Sequence, residues 1–212
     1  YGAHNTSSRI VEQLSWSLPQ KKRVWQKVVQ EKIKHQADLL SLVDLDDESE
    51  VIRQYSLDVR SGDSSNREAV AAKYYFSALF GNEFCRDDDT PLNAALNYGY
   101  SILMSTVARE IVSRGYLTQT GICHRSEFNQ FNFACDLMEP FRPVVDKTIL
   151  SKFDGDFSKE LRHHLSDLVN EELSYKDGRY RLSSVISGFV QDCLNALNKK
   201  TSVSEISSFE LS

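Results

Sequence analysis

Apolar residues recur every three to four positions along most of this chain. Val24, Trp25, Val28, Val29, Ile33, Ala37 and Leu40 form one stripe and predict an amphipathic helix of about twenty residues. A shorter helix around Ile10 and Leu14 precedes it. Turn and cap residues at Ser61–Asn66 lead into a helix bearing Glu68, Ala72, Tyr75, Phe76 and Leu79, which Gly81 is placed to end. Pro91 opens a long buried helix through Leu92, Leu96, Leu103, Val107 and Ile111. A further helical pattern runs from Phe128 to Leu150 and is interrupted by Pro140 and Pro143. Phe157 to Leu168 and Val185 to Leu197 predict two more helices. Between them Asp177-Gly178 predicts a two-residue turn in a hairpin over Tyr175 to Tyr180. The expected fold is mainly α, with roughly six to eight helices and at most one short β-hairpin. Residues 1–200 read as one helical domain, and the Ser-rich residues 201–212 as a loose tail.

Composition agrees with long helices: Gly and Pro number only 9 and 4, and 41% of residues are hydrophobic. The longest apolar run falls far short of the roughly 18–20 residues of a membrane span. No basic-then-apolar leader opens the chain. A cytoplasmic protein without a membrane is therefore expected. Cys85, Cys123, Cys135 and Cys193 show no paired spacing and read as reduced, mostly buried thiols. The 25 basic and 30 acidic side chains give a net charge of −5, which taken globally argues against a nucleic-acid binder.

Candidate chemistry lies where polar residues interrupt apolar patterns. Asp136 and Glu139, at i and i+3, are expected to leave one face of a helix amid Phe131, Phe133, Leu137, Met138 and Phe141. Two carboxylates so close in an apolar segment need a positive partner, a divalent metal or an arginine. Helical prolines remove the hydrogen bonds to carbonyls four residues back, here those of Asp136 and Glu139, so a distortion is expected at these residues. His124 follows a turn at Gly121 just before this helix, and a lone histidine so placed reads more often as a satisfied core residue than as a ligand. His4 and His35 have no evident acidic partners, and Asp87–Asp89 reads as a solvated acidic loop. No Gly-rich phosphate loop, nucleophile elbow or Cys/His dyad is present. A carboxylate-rich site with one imidazole points to Mg²⁺ or Mn²⁺, ions that commonly serve phosphoryl chemistry.

Three stretches carry a resemblance. They are Asn66–Phe76 with Leu79-Phe80-Gly81, then Asn93-Ala94-Ala95-Leu96-Asn97-Tyr98-Gly99-Tyr100, and finally Gly121–His124 followed by Phe131–Pro143. In this order and with these separations the chain resembles the CRISPR-associated integrases of spacer acquisition. The Met138–Pro143 wording is most like the type II-A branch. The likeness covers nearly the whole chain and is weakest after Lys200. It implies a helical catalytic domain, with the family's N-terminal β-rich domain absent from this chain and Tyr1 following that missing part.

The resemblance implies Glu68, His124 and Glu139 as catalytic metal ligands, with Asp136 a neighbouring acid or occasional ligand. It implies Mg²⁺ or Mn²⁺ as cofactor, and Arg142, Lys73 and Arg125 as contacts to DNA. The implied reaction is attack of a DNA 3′-hydroxyl on a phosphodiester, which joins foreign DNA to a CRISPR repeat, or cutting of DNA when water attacks. Implied partners are double-stranded DNA, a second copy of the chain in a homodimer, and a small ferredoxin-like adaptation protein. A non-catalytic helical interaction module of the adaptation complex is the competing expectation. On this reading the acidic balance is spent partly on metal-binding carboxylates, and the surface facing DNA is local.

Overall fold

The computed structural model of the protein describes residues 3–211, with side chains from Thr6 onward; Tyr1 and the side chain of His4 lie outside the described residues. The fold is mainly helical, as the hydrophobic spacing predicts. Its axis is the 25-residue helix α2 (Leu18–Leu42), preceded by α1 (Ala3–Leu14). Pro19 sits in the first turn of α2, where its missing N–H costs nothing. Around α2 pack α3 (Asp46–Leu57), α4 (Arg67–Phe80), α6 (Asn132–Met138), α7 (Arg142–Lys152) and α9 (Leu182–Leu197). The apolar stripe of α2 is fully buried at Val24, Val28, Val29, Ile33, Ala37 and Leu40. Helix α5 (Pro91–Ser113), capped by the Thr90 hydroxyl, forms a second spine against α6, α7, α8 (Lys159–Asp167) and α9.

Gly99 lets α5 and α7 approach closely: a Cβ there would stand 2.4 Å from a Val145 methyl. Gly81 ends α4 with φ of 90°, which an L side chain rarely adopts. Among the described residues three strands complete the fold, β1 (Glu172–Tyr175), β2 (Gly178–Arg181) and β3 (Phe209–Glu210), in the antiparallel order β2-β1-β3. The hairpin is present, but its turn falls on Lys176-Asp177, one residue before the expected pair. Tyr175 pairs with Gly178, and Lys176 takes the positive φ of 55°.

Two expectations are corrected. The thiols are free but not mostly buried: Cys85 and Cys123 are exposed, Cys135 is intermediate, and only Cys193 is buried. The tail is not loose. Ser202 and Glu205 close a capping box, and the tail returns to bury Ile206, Phe209 and Leu211. Phe209 stacks on Phe141 at 5.1 Å between ring centroids and lies 3.9 Å from the His35 ring. Isolated apolar residues spaced along a polar segment give no periodic signal. Among the described residues no helix is long and apolar enough to cross a membrane.

Phe209 is 2% exposed, so Phe209→Ala removes a packed ring from the junction of the tail, α2 and the 139–141 turn. A loss of about 3–5 kcal/mol is expected in urea unfolding. A loss below about 1 kcal/mol would restore the view of the tail as loose.

Candidate active site

The proline-rich segment distorts as its sequence predicts. Helix α6 stops at Met138, a 3₁₀ turn spans Glu139–Phe141, and α7 begins at Arg142. The turn is anchored by His35, whose ring nitrogens lie 2.8 Å from the Pro140 carbonyl and 3.0 Å from that of Phe209. His35 also has an acidic neighbour after all, Glu31 at 3.9 Å. The turn thus links the interior of α2 to the C-terminal strand and presents Glu139 to the middle of α2.

There Glu139 meets a residue absent from the expected set. Lys32, 5% exposed, forms an ion pair with Glu68 and places its ammonium 2.5 Å from Glu139 Oε2. Arg142 closes the other side of Glu139, with Nε and Nη2 at 3.0 and 2.9 Å from Oε1. Burial opposes ionisation of Glu139, but the adjacent Lys32 and Arg142 charges override it and hold the carboxyl down at about 2. Burial likewise opposes the Lys32 charge, and the two carboxylates more than restore it, leaving its proton affinity raised.

Glu68 comes from the first turn of α4, where Asp63 accepts hydrogen bonds from the backbone N–H groups of Arg67 (2.8 Å) and Glu68 (3.0 Å). Asp63 therefore caps the helix and fixes the backbone that carries Glu68. The Glu68 side chain is 31% exposed, against 4% for Glu139. The pair has one solvent-facing and one buried member.

His124 lies on the loop between α5 and α6, and Asp136 is what shapes this loop. Asp136, fully buried, accepts from Ile122 N–H (2.6 Å), Cys123 N–H (3.1 Å) and His124 N–H (3.0 Å), and from His124 Nδ1 at 2.6 Å. The bond to Asp136 raises the proton affinity of the ring against the effect of burial. Gly121 is required beside it: a Cβ would stand 2.5 Å from the His124 carbonyl and 2.6 Å from Asp136 Oδ2. Trp25 of α2 meets the imidazole edge-on at 5.9 Å.

Asp136 and Glu139 do not share a cation, contrary to the i, i+3 expectation. The turn that begins at Glu139 separates them, and each has its own partners, loop amides and His124 for Asp136, Lys32 and Arg142 for Glu139. Both Asp136 oxygens are committed, so it orients the histidine and has no oxygen left to ligate. Glu68 and Glu139 converge on one point, while His124 is turned to Asp136. Among the described residues no three His, Cys, Asp or Glu side chains stand at metal-holding spacing.

Arg142, with its side chain 30% exposed, is engaged within the site. It is held by Glu139, and its guanidinium lies 4.6 Å from the Tyr100 ring centroid. Beneath it the hydroxyls of Tyr100 (2.5 Å) and Tyr75 (2.8 Å) donate to buried Asp146, which burial raises to about 6 against these bonds. Lys73 is exposed, yet it lines a groove with Glu48, Tyr55 and Tyr74 on the α3–α4 side, away from the carboxylate pair. Arg125 does stand by the site. With Lys21, Gln119, Gln130 and Asn132 it lines an open cleft of about 390 Å³ that includes His124. Burial, with the Arg125 charge adding to it, lowers the proton affinity of Lys21.

These observations define a helical domain that gathers two carboxylates around a cation position, with an Asp-oriented histidine at the mouth of a basic cleft. The family described as CRISPR associated protein Cas1 matches residues 2–163, and the chain belongs to that family. Its sequence is 36% identical over 196 residues to the CRISPR-associated endonuclease Cas1 of Neisseria meningitidis serogroup C (strain 8013), covering 90% of this chain and 64% of that relative. A Cas1 of Thermus thermophilus is 36% identical over 95 residues, 41% of this chain and 30% of the relative. The chain thus spans less than two thirds of the length of these relatives. Among solved structures, a partial Cas6-RT-Cas1–Cas2 complex aligns with a TM-score of 0.77 at 21% identity, over 99% of this chain and 75% of that one. A casposase bound to integration product aligns at 0.74 with 19% identity, over 95% of this chain and 67% of that one. Both likenesses establish the shared fold.

Asp136→Asn puts an amide group opposite N–H donors that now find carboxylate oxygens. We expect a loss of about 2–4 kcal/mol in urea unfolding. In an NMR titration the His124 ring should release its proton at lower pH than in the wild type. An unchanged His124 titration would contradict the orienting role.

Proposed function

We propose that this chain is the helical catalytic domain of a metal-dependent DNA endonuclease and integrase of CRISPR adaptation, of the type II-A-like branch. It joins short foreign DNA fragments to a repeat by attack of a 3′-hydroxyl on a phosphodiester, and it cuts DNA when water is the nucleophile. The observation that carries this reading is the meeting of Glu68 and Glu139, 71 positions apart in sequence, around a single cation position. The family membership and the structural likeness to an integration-product complex support the same reading.

The donor chemistry, carried by the carboxylate pair, suits a divalent ion, with His124 completing the set only by presenting its outer nitrogen. Glu139 Oε2 is buried and its one close neighbour among the described residues is the Lys32 ammonium at 2.5 Å, so this oxygen faces a cation position. Two carboxylates and one imidazole suit Mg²⁺ or Mn²⁺. Glu68, Glu139 and His124 would hold the ion. When bound, it supplies a lowered pKa to the attacking hydroxyl and polarises the target phosphodiester.

The protein groups have separate tasks. Asp136 keeps His124 with Nδ1 inward, which leaves Nε2 as the nitrogen available to a ligand. Arg142, seated on Tyr100, keeps Glu139 ionised and aimed. Lys21 and Arg125 offer positive charge to a DNA backbone entering the cleft beside His124. This local patch reconciles DNA binding with a net charge of −5. Lys73 is a contact further along the surface. We assign the same partners as the resemblance implies, namely double-stranded DNA, a second copy of the chain and a small ferredoxin-like adaptation protein, in the cytoplasm.

Glu139→Gln keeps the shape of the side chain and removes its charge; Glu139→Ala removes both. Mn²⁺-dependent cutting and joining of DNA should fall by at least about a hundredfold in each, more than loss of a merely orienting group costs. Circular dichroism should retain the helical signal in the Gln variant. Activity within a few-fold of wild type would overturn the assignment. DNA binding by a wild type that neither cuts nor joins would favour the interaction-module reading.

A further inference from the structure

Lys32 lies at the centre of the buried stripe of α2, between Val28, Val29 and Ile33 and one turn before Gln36. A lysine there is costly to bury and is tolerated because its ammonium touches both Glu68 and Glu139. The ammonium therefore occupies the place a bridging divalent ion would take.

The local charges close without any ion: Lys32 and Arg142 balance Glu68 and Glu139. A divalent ion added to this neutral group would lie next to the Lys32 charge in a poorly solvated site, where like charges repel strongly. Gln36 Oε1, buried on the same face of α2 one turn further, has no hydrogen-bond partner among the described residues. Side chains four apart on a helix are neighbours, so this acceptor lies where a displaced ammonium would turn.

We propose that Lys32 is a resident counter-cation, which holds Glu68 and Glu139 at cation-binding spacing before an ion arrives and yields that position when a divalent ion binds. The proposal rests on the metal-site reading above and adds a residue to it. Lys32 is here a positioning residue that sets metal affinity and protects the site from carboxylate repulsion.

The test measures Mn²⁺ binding calorimetrically on the full chain, together with melting in chelator and in Mn²⁺. Lys32→Met removes the competing charge. It should bind Mn²⁺ at least about tenfold more tightly than wild type. It should also melt earlier than wild type in chelator and gain more from Mn²⁺. Lys32→Gln repeats the experiment with a polar head if the Met variant does not fold. Lys32→Arg keeps the charge and should bind no more tightly than wild type. Affinity in the neutral variants equal to or below that of wild type, with wild-type binding still abolished by Glu139→Gln, would overturn the counter-cation role alone. Wild-type Mn²⁺ binding indifferent to Glu139→Gln would overturn the metal-site reading and this inference with it.

Discussion

The ion cluster of Lys32, Arg142, Glu68 and Glu139 is the constraint on which the other features of the site depend. It draws together four chain segments, the middle of α2, the first turn of α4, the 139–141 turn and the start of α7. Each charge is costly to desolvate alone, and the cluster persists because each has an opposite charge in contact. Burial favours a neutral Glu139, yet the surrounding cations hold it down at about 2. A carboxylate that stays ionised while buried is what a cation-binding site needs.

The supports around the cluster follow from this. The 3₁₀ turn brings Glu139 to Lys32, and His35 and Phe209 hold that turn against α2 from the other side. Asp146, with Tyr75 and Tyr100, builds the floor on which Arg142 rests. Asp136 organises a separate unit, folding the Gly121–His124 loop around its two oxygens. The site is thus two preorganised halves: a carboxylate pair fixed by charge, and a histidine fixed by an acid.

Much of this was legible in the sequence. Hydrophobic spacing marks the helices, and Pro140 and Pro143 mark the break at the carboxylates, because proline's missing N–H has a fixed consequence. Glu68, His124 and Glu139 entered through motif resemblance, and no periodicity would have joined residues so far apart. Lys32 does carry a signal, since it is a charged residue in the apolar stripe of α2, directly before Ile33 and one turn after Val28. Arg142 as a DNA contact rests on the motif resemblance alone, which says nothing of what packs beneath the guanidinium. Its seat on Tyr100 and Asp146 is something only tertiary structure places beneath it. The order of the tail and the one-residue shift of the hairpin turn have no local signal for a similar reason. Contacts with distant partners, Phe141 and His35 for the tail and β1 for the strand, decide them.

Crystals of the protein soaked in Mn²⁺ and measured at the manganese absorption edge test the central claim most directly. The account predicts one anomalous peak within bonding distance of Glu68, Glu139 and His124, with the Lys32 ammonium moved off the line between the two carboxylates. A peak elsewhere, or none at saturating Mn²⁺ with Lys32 still bridging Glu68 and Glu139, would contradict it.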